Sequence, residues 1–241
     1  MLEGCSFGTC CETKAESRVL NLSAMANTAL NSTLSQYDAD WTWSEARGHF
    51  ESVDPEFHAV VSRLDDPIDV ERRSAFESLA RAIIGQQLST KAAQTIWGRF
   101  VALHGLELTA EGVLSFSAEM HRAAGVSGQK HGYLQDLARH YTDNPDMFDA
   151  VESADDAAIV SSWTTVKGLG PWTVQMHLMF QLRRPDVFPV DDLGIRRSME
   201  RTLGIAKDAP KSVYTKRALQ WGPFRTAASR FLWDNLDNQP K

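Results

Sequence analysis

Apolar residues recur along this chain at helical spacing and nowhere alternate over a useful length. Phe76, Leu79, Ala80, Ile83 and Ile84 fall at i, i+3, i+4, i+7 and i+8, which lays one buried stripe along a helix. A break at Gly85-Gln86-Gln87-Leu88 follows, and Ser89 or Thr90 is placed to cap the next helix, which carries Ala92, Ala93, Ile96, Trp97 and Phe100. Upstream, Trp41, Trp43, Phe50, Phe57, Val60, Val61 and Leu64 predict two short helices, with Pro55 near the start of the second and Asp65-Asp66-Pro67 ending the unit. Residues 106–141 read as short helices separated by glycine turns at Gly125 and Gly128, and Ala157, Ala158, Val160, Trp163 and Val166 fit one more. After Asp192, helices over about 193–202, 211–220 and 224–236 close the chain. With no strand pattern and no internal repeat, the predicted fold is all-α, many short helices in a two-lobed bundle with a cleft between the lobes.

One stretch stands out from this pattern, Val166 to Met199. Gly168-Leu169-Gly170 permits a tight, unhindered turn. Pro171 sits at a favoured first helical position, and an apolar run then extends from Trp172 to the Arg183-Arg184-Pro185 breaker. The pattern is helix, glycine hairpin, helix. The free amides and the positive dipole end of the second helix make an anion site suited to a nucleic-acid phosphate. A GxG before a helix is by itself more often an ordinary turn. Its sequel is what distinguishes this one: Phe188-Pro189-Val190-Asp191-Asp192-Leu193-Gly194-Ile195 puts two carboxylates at a helix start about twenty residues beyond the hairpin.

Composition narrows the reading. At 241 residues, with 43% hydrophobic and 23% charged positions, the chain is an ordinary globular protein of one or two domains. No apolar run approaches the ~20 residues that span a bilayer. The N-terminus lacks a basic-then-apolar signal, so a cytoplasmic or nuclear compartment is expected rather than secretion. Residues 1–40, rich in Ser, Thr, Asn and Ala, read as a mobile tail. Cys5, Cys10 and Cys11 all lie in that tail without zinc spacing, and the seven histidines form no ligand cluster, so no side-chain metal site is expected. The net charge of −6 is awkward for a nucleic-acid binder until the chain is divided. Residues 1–166 hold 12 basic against 24 acidic residues, whereas residues 167–241 hold 13 against 7. Any electropositive face belongs to the C-terminal third, where the hairpin lies.

The motifs IIGQQLS (Ile83 to Ser89), VKGLGPWT (Val166 to Thr173), RPDVFPVDDLGI (Arg184 to Ile195) and WGPFR (Trp221 to Arg225) together resemble the helix-hairpin-helix DNA glycosylase superfamily, most closely its 3-methyladenine DNA glycosylase II branch. The resemblance runs from roughly Phe76 to Trp233. It implies a glycosylase core of two helical lobes over residues 41–241; the fuller architecture adds an N-terminal β-rich domain, for which too few residues precede Phe76, so that domain is expected to be absent or vestigial. The family places its catalytic carboxylate three residues before the isoleucine that is Ile195 here. That implies Asp192 as the catalytic group, with Asp191 as a capping or supporting one. The positions matching the base pocket are Trp172, Met176 and Trp233, and Met176 departs from the tyrosine of a well-known relative. The position matching the wedge that fills the gap left by a flipped base is Gln87, with Leu88 beside it. The hairpin amides of Gly168, Gly170 and Thr173 are assigned to phosphate. Lys167, Arg196, Arg197, Lys216 and Arg225 are candidate backbone contacts.

Bifunctional relatives carry a Schiff-base lysine two residues after the second hairpin glycine. Trp172 occupies that position, which implies a monofunctional enzyme without a strand-cleaving step. Relatives often hold a monovalent cation on hairpin carbonyls; those with a four-cysteine iron–sulfur cluster carry it after the catalytic region, where this chain has no cysteine. The expected activity is therefore excision of alkylated purines from damaged double-stranded DNA in base excision repair, by a monomer with no membrane partner. Two alternatives stay open, a glycosylase of the same fold for deaminated or other damaged bases, and a hairpin module that only docks DNA. A helical protein–protein scaffold is a remoter one.

Overall fold

Local start and stop signals account for the helices in order. The computed structural model describes residues 41–237 except 106, 150, 152 and 153, so the predicted tail with its three cysteines lies outside the described residues. Helix α1 (Trp43–Val53) opens on a reciprocal cap: the Thr42 hydroxyl accepts the Glu45 amide and the Glu45 carboxylate accepts the Thr42 amide at 2.7 Å. Asp54 ends α1 and caps α2 (Pro55–Val61), whose first residue is the proline that needs no amide partner. Ser74 caps α3 (Ala75–Gly85), and Ser89 caps α4 (Thr90–His104). After α5 (Ala110–Ser115) and α6 (Ala118–Ala123) comes a departure from the expected string of short helices. Gly128 does not interrupt a helix but begins α7 (Gly128–Asp143), the longest of the described helices at 16 residues. Ser127 caps it, and a glycine in the first turn gives up no interior hydrogen bond.

Then follow α8 (Asp146–Asp149), α9 (Asp156–Trp163) and α10 (Pro171–Phe180). Val166, expected on α9, lies beyond its end and is buried in the turn that becomes the hairpin. Helices α11 (Leu193–Thr202), α12 (Lys211–Ala218) with its 3-10 extension Leu219–Trp221, and α13 (Arg225–Asp237) complete the chain. No strand occurs among the described residues, and none of their helices is long and apolar enough to cross a membrane. The described residues are all-α, and α9, the Gly168–Gly170 turn and α10 form a helix, hairpin, helix.

The helices sort into two lobes. One is built from both ends of the described chain: Phe50 and Phe57 of α1 and α2 pack with Ile195, Met199, Tyr214, Trp221 and Phe231 from α11 to α13. Phe57 is fully buried with Phe50 at 5.1 Å and Trp221 at 4.5 Å between ring centroids. Truncating it to alanine should cost about 3–5 kcal/mol. In the other lobe, α3 packs on α4, α7 and α10, α5 on α7, and α9 on α10, around Ile83, Phe100, Leu134, Leu137, Trp163 and Leu178. The two lobes meet where the end of α10 reaches α13, Phe180 stacking on Trp233 at 5.9 Å and 18°.

A candidate active site at Asp192

Three N–H groups converge on one carboxylate. Asp192 caps α11, its Oδ1 accepting the Ile195 amide at 2.9 Å. The same oxygen accepts the indole N–H of Trp233 at 2.9 Å, and Oδ2 accepts that of Trp172, also at 2.9 Å. A carboxylate oxygen offers two lone-pair sites, so Oδ1 is saturated while Oδ2 keeps one position open. The helix start adds its own partial positive charge. Charge-assisted bonds of this kind are about twice as strong as neutral ones. The expected division of labour between the two acids does not hold in one respect. Asp191 is exposed and paired with Lys211, and it is Asp192 that does the capping. Capping and a site role coincide in one side chain.

The sequence permits this convergence through a glycine. A Cβ on Gly194 would stand 3.1 Å from Asp192 Oδ1 and 3.3 Å from Trp233 Cδ1, tighter than ordinary contact. Trp233 is further fixed by the stack on Phe180, over which the Arg230 guanidinium lies at 5.2 Å; Asp69 holds Arg230 at 2.7 Å. Trp172 is 46% exposed, so one of the two indoles around the carboxylate is open to solvent.

The three residues matched to a base pocket are not all in one hollow. Trp172, Met176 and Phe180 share one face of α10 at i, i+4 and i+8. Met176 and Phe180 line a cavity of about 480 Å³ together with Gly85, Leu88 and Thr173. Phe180 and Trp233 line another of about 660 Å³ with Ile68 and Arg230. Phe180 is thus the partition between the hollows, a position the sequence reading missed although its spacing from Trp172 and Met176 marks it. Trp172 and Asp192 belong to neither lining.

The hairpin and the Gln87 loop lie together. Gly168 has φ +87, a conformation open to glycine, and a Cβ there would fall 2.4 Å from Tyr133 Cδ2. Gly170 caps α10 with no side-chain hydrogen bond, and Thr173, in the first turn, is buried. Gln86 donates its amide to the Gly168 carbonyl at 2.7 Å, which ties the loop to the hairpin. Gln87 is exposed with φ 58, and Leu88 is 38% exposed. Of the candidate backbone cations, Arg225 is already spent on Asp186, through Nε at 2.6 Å and Nη2 at 2.9 Å. Lys167 stands 3.7 Å from Asp136, and Arg196 lies 5.9 Å from the Tyr214 ring centroid. Arg197 and Lys216 are exposed without an ion-pair partner among the described residues. His177 is a packed residue: its Nδ1 meets Ser78 Oγ at 3.1 Å, and burial pushes its pKa down to about 3. No group of three or more His, Cys, Asp or Glu among the described residues is arranged to hold a metal ion.

Comparison with known proteins gives this geometry its context. Residues 80–223 match the HhH-GPD superfamily of base excision DNA repair proteins. The chain is 35% identical over 168 residues to DNA-3-methyladenine glycosylase 1 of Schizosaccharomyces pombe, covering 68% of this chain and 73% of that protein. It is 28% identical to a putative DNA-3-methyladenine glycosylase of Bacillus subtilis, over 68% of this chain and 60% of the relative. The solved structure of the S. pombe 3-methyladenine DNA glycosylase in complex with abasic DNA superposes with a TM-score of 0.68 at 29% identity, over 79% of this chain and 95% of that one. The chain belongs to the HhH-GPD superfamily, in the branch of the 3-methyladenine DNA glycosylases.

Proposed function

We propose that this protein is a monofunctional DNA glycosylase that extrudes an alkylated purine of the 3-methyladenine type from duplex DNA and hydrolyses its N-glycosidic bond. The observation that carries the reading is the carboxylate of Asp192, fixed by three N–H donors with one position on Oδ2 left open beside an exposed indole. As the bond between C1′ and the purine nitrogen breaks, its electron pair leaves with the base and positive charge grows on the sugar. A fixed anion that needs no reorganisation stabilises that charge. The open position on Oδ2 serves to orient the attacking water and accept its proton. A purine made cationic by alkylation leaves as a neutral base, so the leaving group asks for no proton. Trp172 offers such an electron-poor ring an indole face.

Relatives' names support DNA as the partner, and the S. pombe relative was solved on abasic DNA. The hairpin amides of Gly168, Gly170 and Thr173 supply grip without sequence preference. Gln87 and Leu88 fill the gap left by extrusion, which costs a few kcal/mol. The hairpin carbonyls are neutral oxygen donors of a kind that suits a monovalent cation; its charge would add to the grip on phosphate. Trp172 stands in the position of the Schiff-base lysine, and an indole forms no imine. The test is a panel of duplexes, each with one defined lesion, assayed for free base and for strand breaks. Release of alkylated purines without breaks is expected, and borohydride should trap no protein–DNA adduct. Release of deaminated or oxidised bases alone, or a trapped adduct, would overturn the proposal.

A further inference from the structure

Helix α7 contributes no residue to the Asp192 site, yet side chains along one side of it hold both loops that the proposed function places on the duplex. The ammonium of Lys130 donates to the carbonyls of Ile84 at 2.7 Å and Gln86 at 2.8 Å, groups at the end of α3 that lack a helical partner. One turn on, the Tyr133 ring lies directly against Gly168, and its hydroxyl is anchored by Gln129 at 2.7 Å. A further turn on, Asp136 accepts the Lys167 amide at 2.9 Å. The circuit closes between the loops themselves, where the Gln86 side chain reaches the Gly168 carbonyl. The loop tip and the phosphate-binding turn are therefore two projections from one rigid support.

Gln87 shows what the support achieves. Its φ of 58 is a left-handed conformation that a residue with a side chain seldom adopts unless its surroundings impose it. Lys130 grips the carbonyl immediately before it. Partial burial lowers the pKa of this ammonium below the usual lysine value, in keeping with carbonyls replacing water around it. A wedge free to rock would have to be ordered at the moment of insertion, and that ordering would add to the barrier. A tip already fixed relative to the gripped backbone avoids it.

We propose that Lys130 is a positioning residue for base extrusion: by holding the Ile84 and Gln86 carbonyls it sets the height of the Gln87-Leu88 tip over the hairpin. The inference rests on the glycosylase reading and goes beyond it, assigning a task in the extrusion step to a residue that touches neither base nor sugar. The test compares Lys130→Met with the wild type on one alkylated purine in two settings, fully paired in a duplex and in a single strand where no partner must be lost. Hydrogen bonds to a charged group are among the stronger ones, so single-turnover excision from the paired duplex should fall about 10- to 100-fold. Excision from the single strand should stay within about twofold, and Lys130→Arg should recover much of the paired rate. Gln86→Leu, which breaks the tie to Gly168 without touching the core, should show the same split and guards against simple misfolding of the lysine variant. Equal losses on both substrates, or no loss on either, in both Lys130→Met and Gln86→Leu would overturn the inference. Wild-type inactivity on the single-strand lesion as well as the duplex would instead sink the glycosylase reading, and this one with it.

Discussion

The indole N–H of Trp233 meets Oδ1 of Asp192 at 2.9 Å, and with the Ile195 amide it occupies both acceptor positions of that oxygen. The relationship makes Trp233 a support for the carboxylate as much as a wall of a pocket. Trp233→Phe keeps a ring that can stack on Phe180 but removes the N–H. A lost hydrogen bond to a charged group should lower the single-turnover excision rate by about 10- to 100-fold. Affinity for undamaged duplex, measured by fluorescence anisotropy, should stay within about twofold, because phosphate contacts dominate it.

Gly168 is the hairpin residue with least tolerance. An alanine there meets the Tyr133 ring at 2.4 Å and is also held at φ +87. Overpacking of this kind costs about 1–3 kcal/mol, and the left-handed conformation about 1–2 more. Gly168→Ala should lower Tm by several degrees and weaken DNA binding together. In Gly168→Ala/Tyr133→Ala the losses should add to less than the sum of the single variants, as contacting residues do. Strict additivity in thermal unfolding would contradict the contact.

How much of this was legible in the sequence varies with the range of the interaction. Helices α1 to α4 follow from apolar spacing, with Pro55 and Ser89 as local signals; Thr42 and Ser74 cap α1 and α3 in the structure but are not singled out by the hydrophobic pattern. Gly128 marks a turn in the sequence pattern, yet it stands in the first turn of α7, where a glycine gives up no interior hydrogen bond. Asp191 and Asp192 are indistinguishable by composition, and only the backbone course beyond them decides which one caps. Trp172 and Trp233 are brought to one carboxylate across 61 positions, which periodicity cannot encode; the family motifs named them, and the structure supplies the distances. The α7 support was invisible for the same reason: Lys130 to Ile84 spans 46 positions and Asp136 to Lys167 spans 31.

Acid should weaken the fold through its buried histidines, His177 and His121 most strongly, with His104 and His131 lowered by burial in the same direction. Burial lowers the pKa of His177 to about 3; His121, buried and flanked by His104 and His131, is lowered to about 4, chiefly by desolvation and then by those two neighbours. Both folded values lie below the unfolded value of 6.5, so the unfolded chain binds the extra protons and stability falls as pH drops. The loss begins near pH 6.5 and levels off once the folded state also protonates, near pH 4 for His121 and pH 3 for His177. Each group contributes a slope of about 1.4 kcal/mol per pH unit inside its window. Urea unfolding between pH 7 and pH 4.5 should show this decline, and His177→Gln should make it shallower by about one proton's worth.

The N- and C-terminal contributions to the first lobe are locked by Asp54. Its buried carboxylate accepts the Trp221 indole at 2.7 Å, Gln220 at 2.8 Å and the Phe57 amide at 3.1 Å, and it is paired with Arg217. Asp54→Ala strands all of these partners and should cost about 3–5 kcal/mol in chemical denaturation. Asp54→Asn keeps the cap and should cost less.

The central claim concerns Asp192 and can be tested with one lesion. Wild type and Asp192→Asn would be incubated with a duplex holding a single alkylated purine, and the liberated base and the bound fraction measured in the same samples. Base release falling by about a hundred- to a thousandfold, with binding to the duplex retained, is the result expected if this anion stabilises the charge growing on the sugar. Release by Asp192→Asn at a rate close to wild type would contradict it.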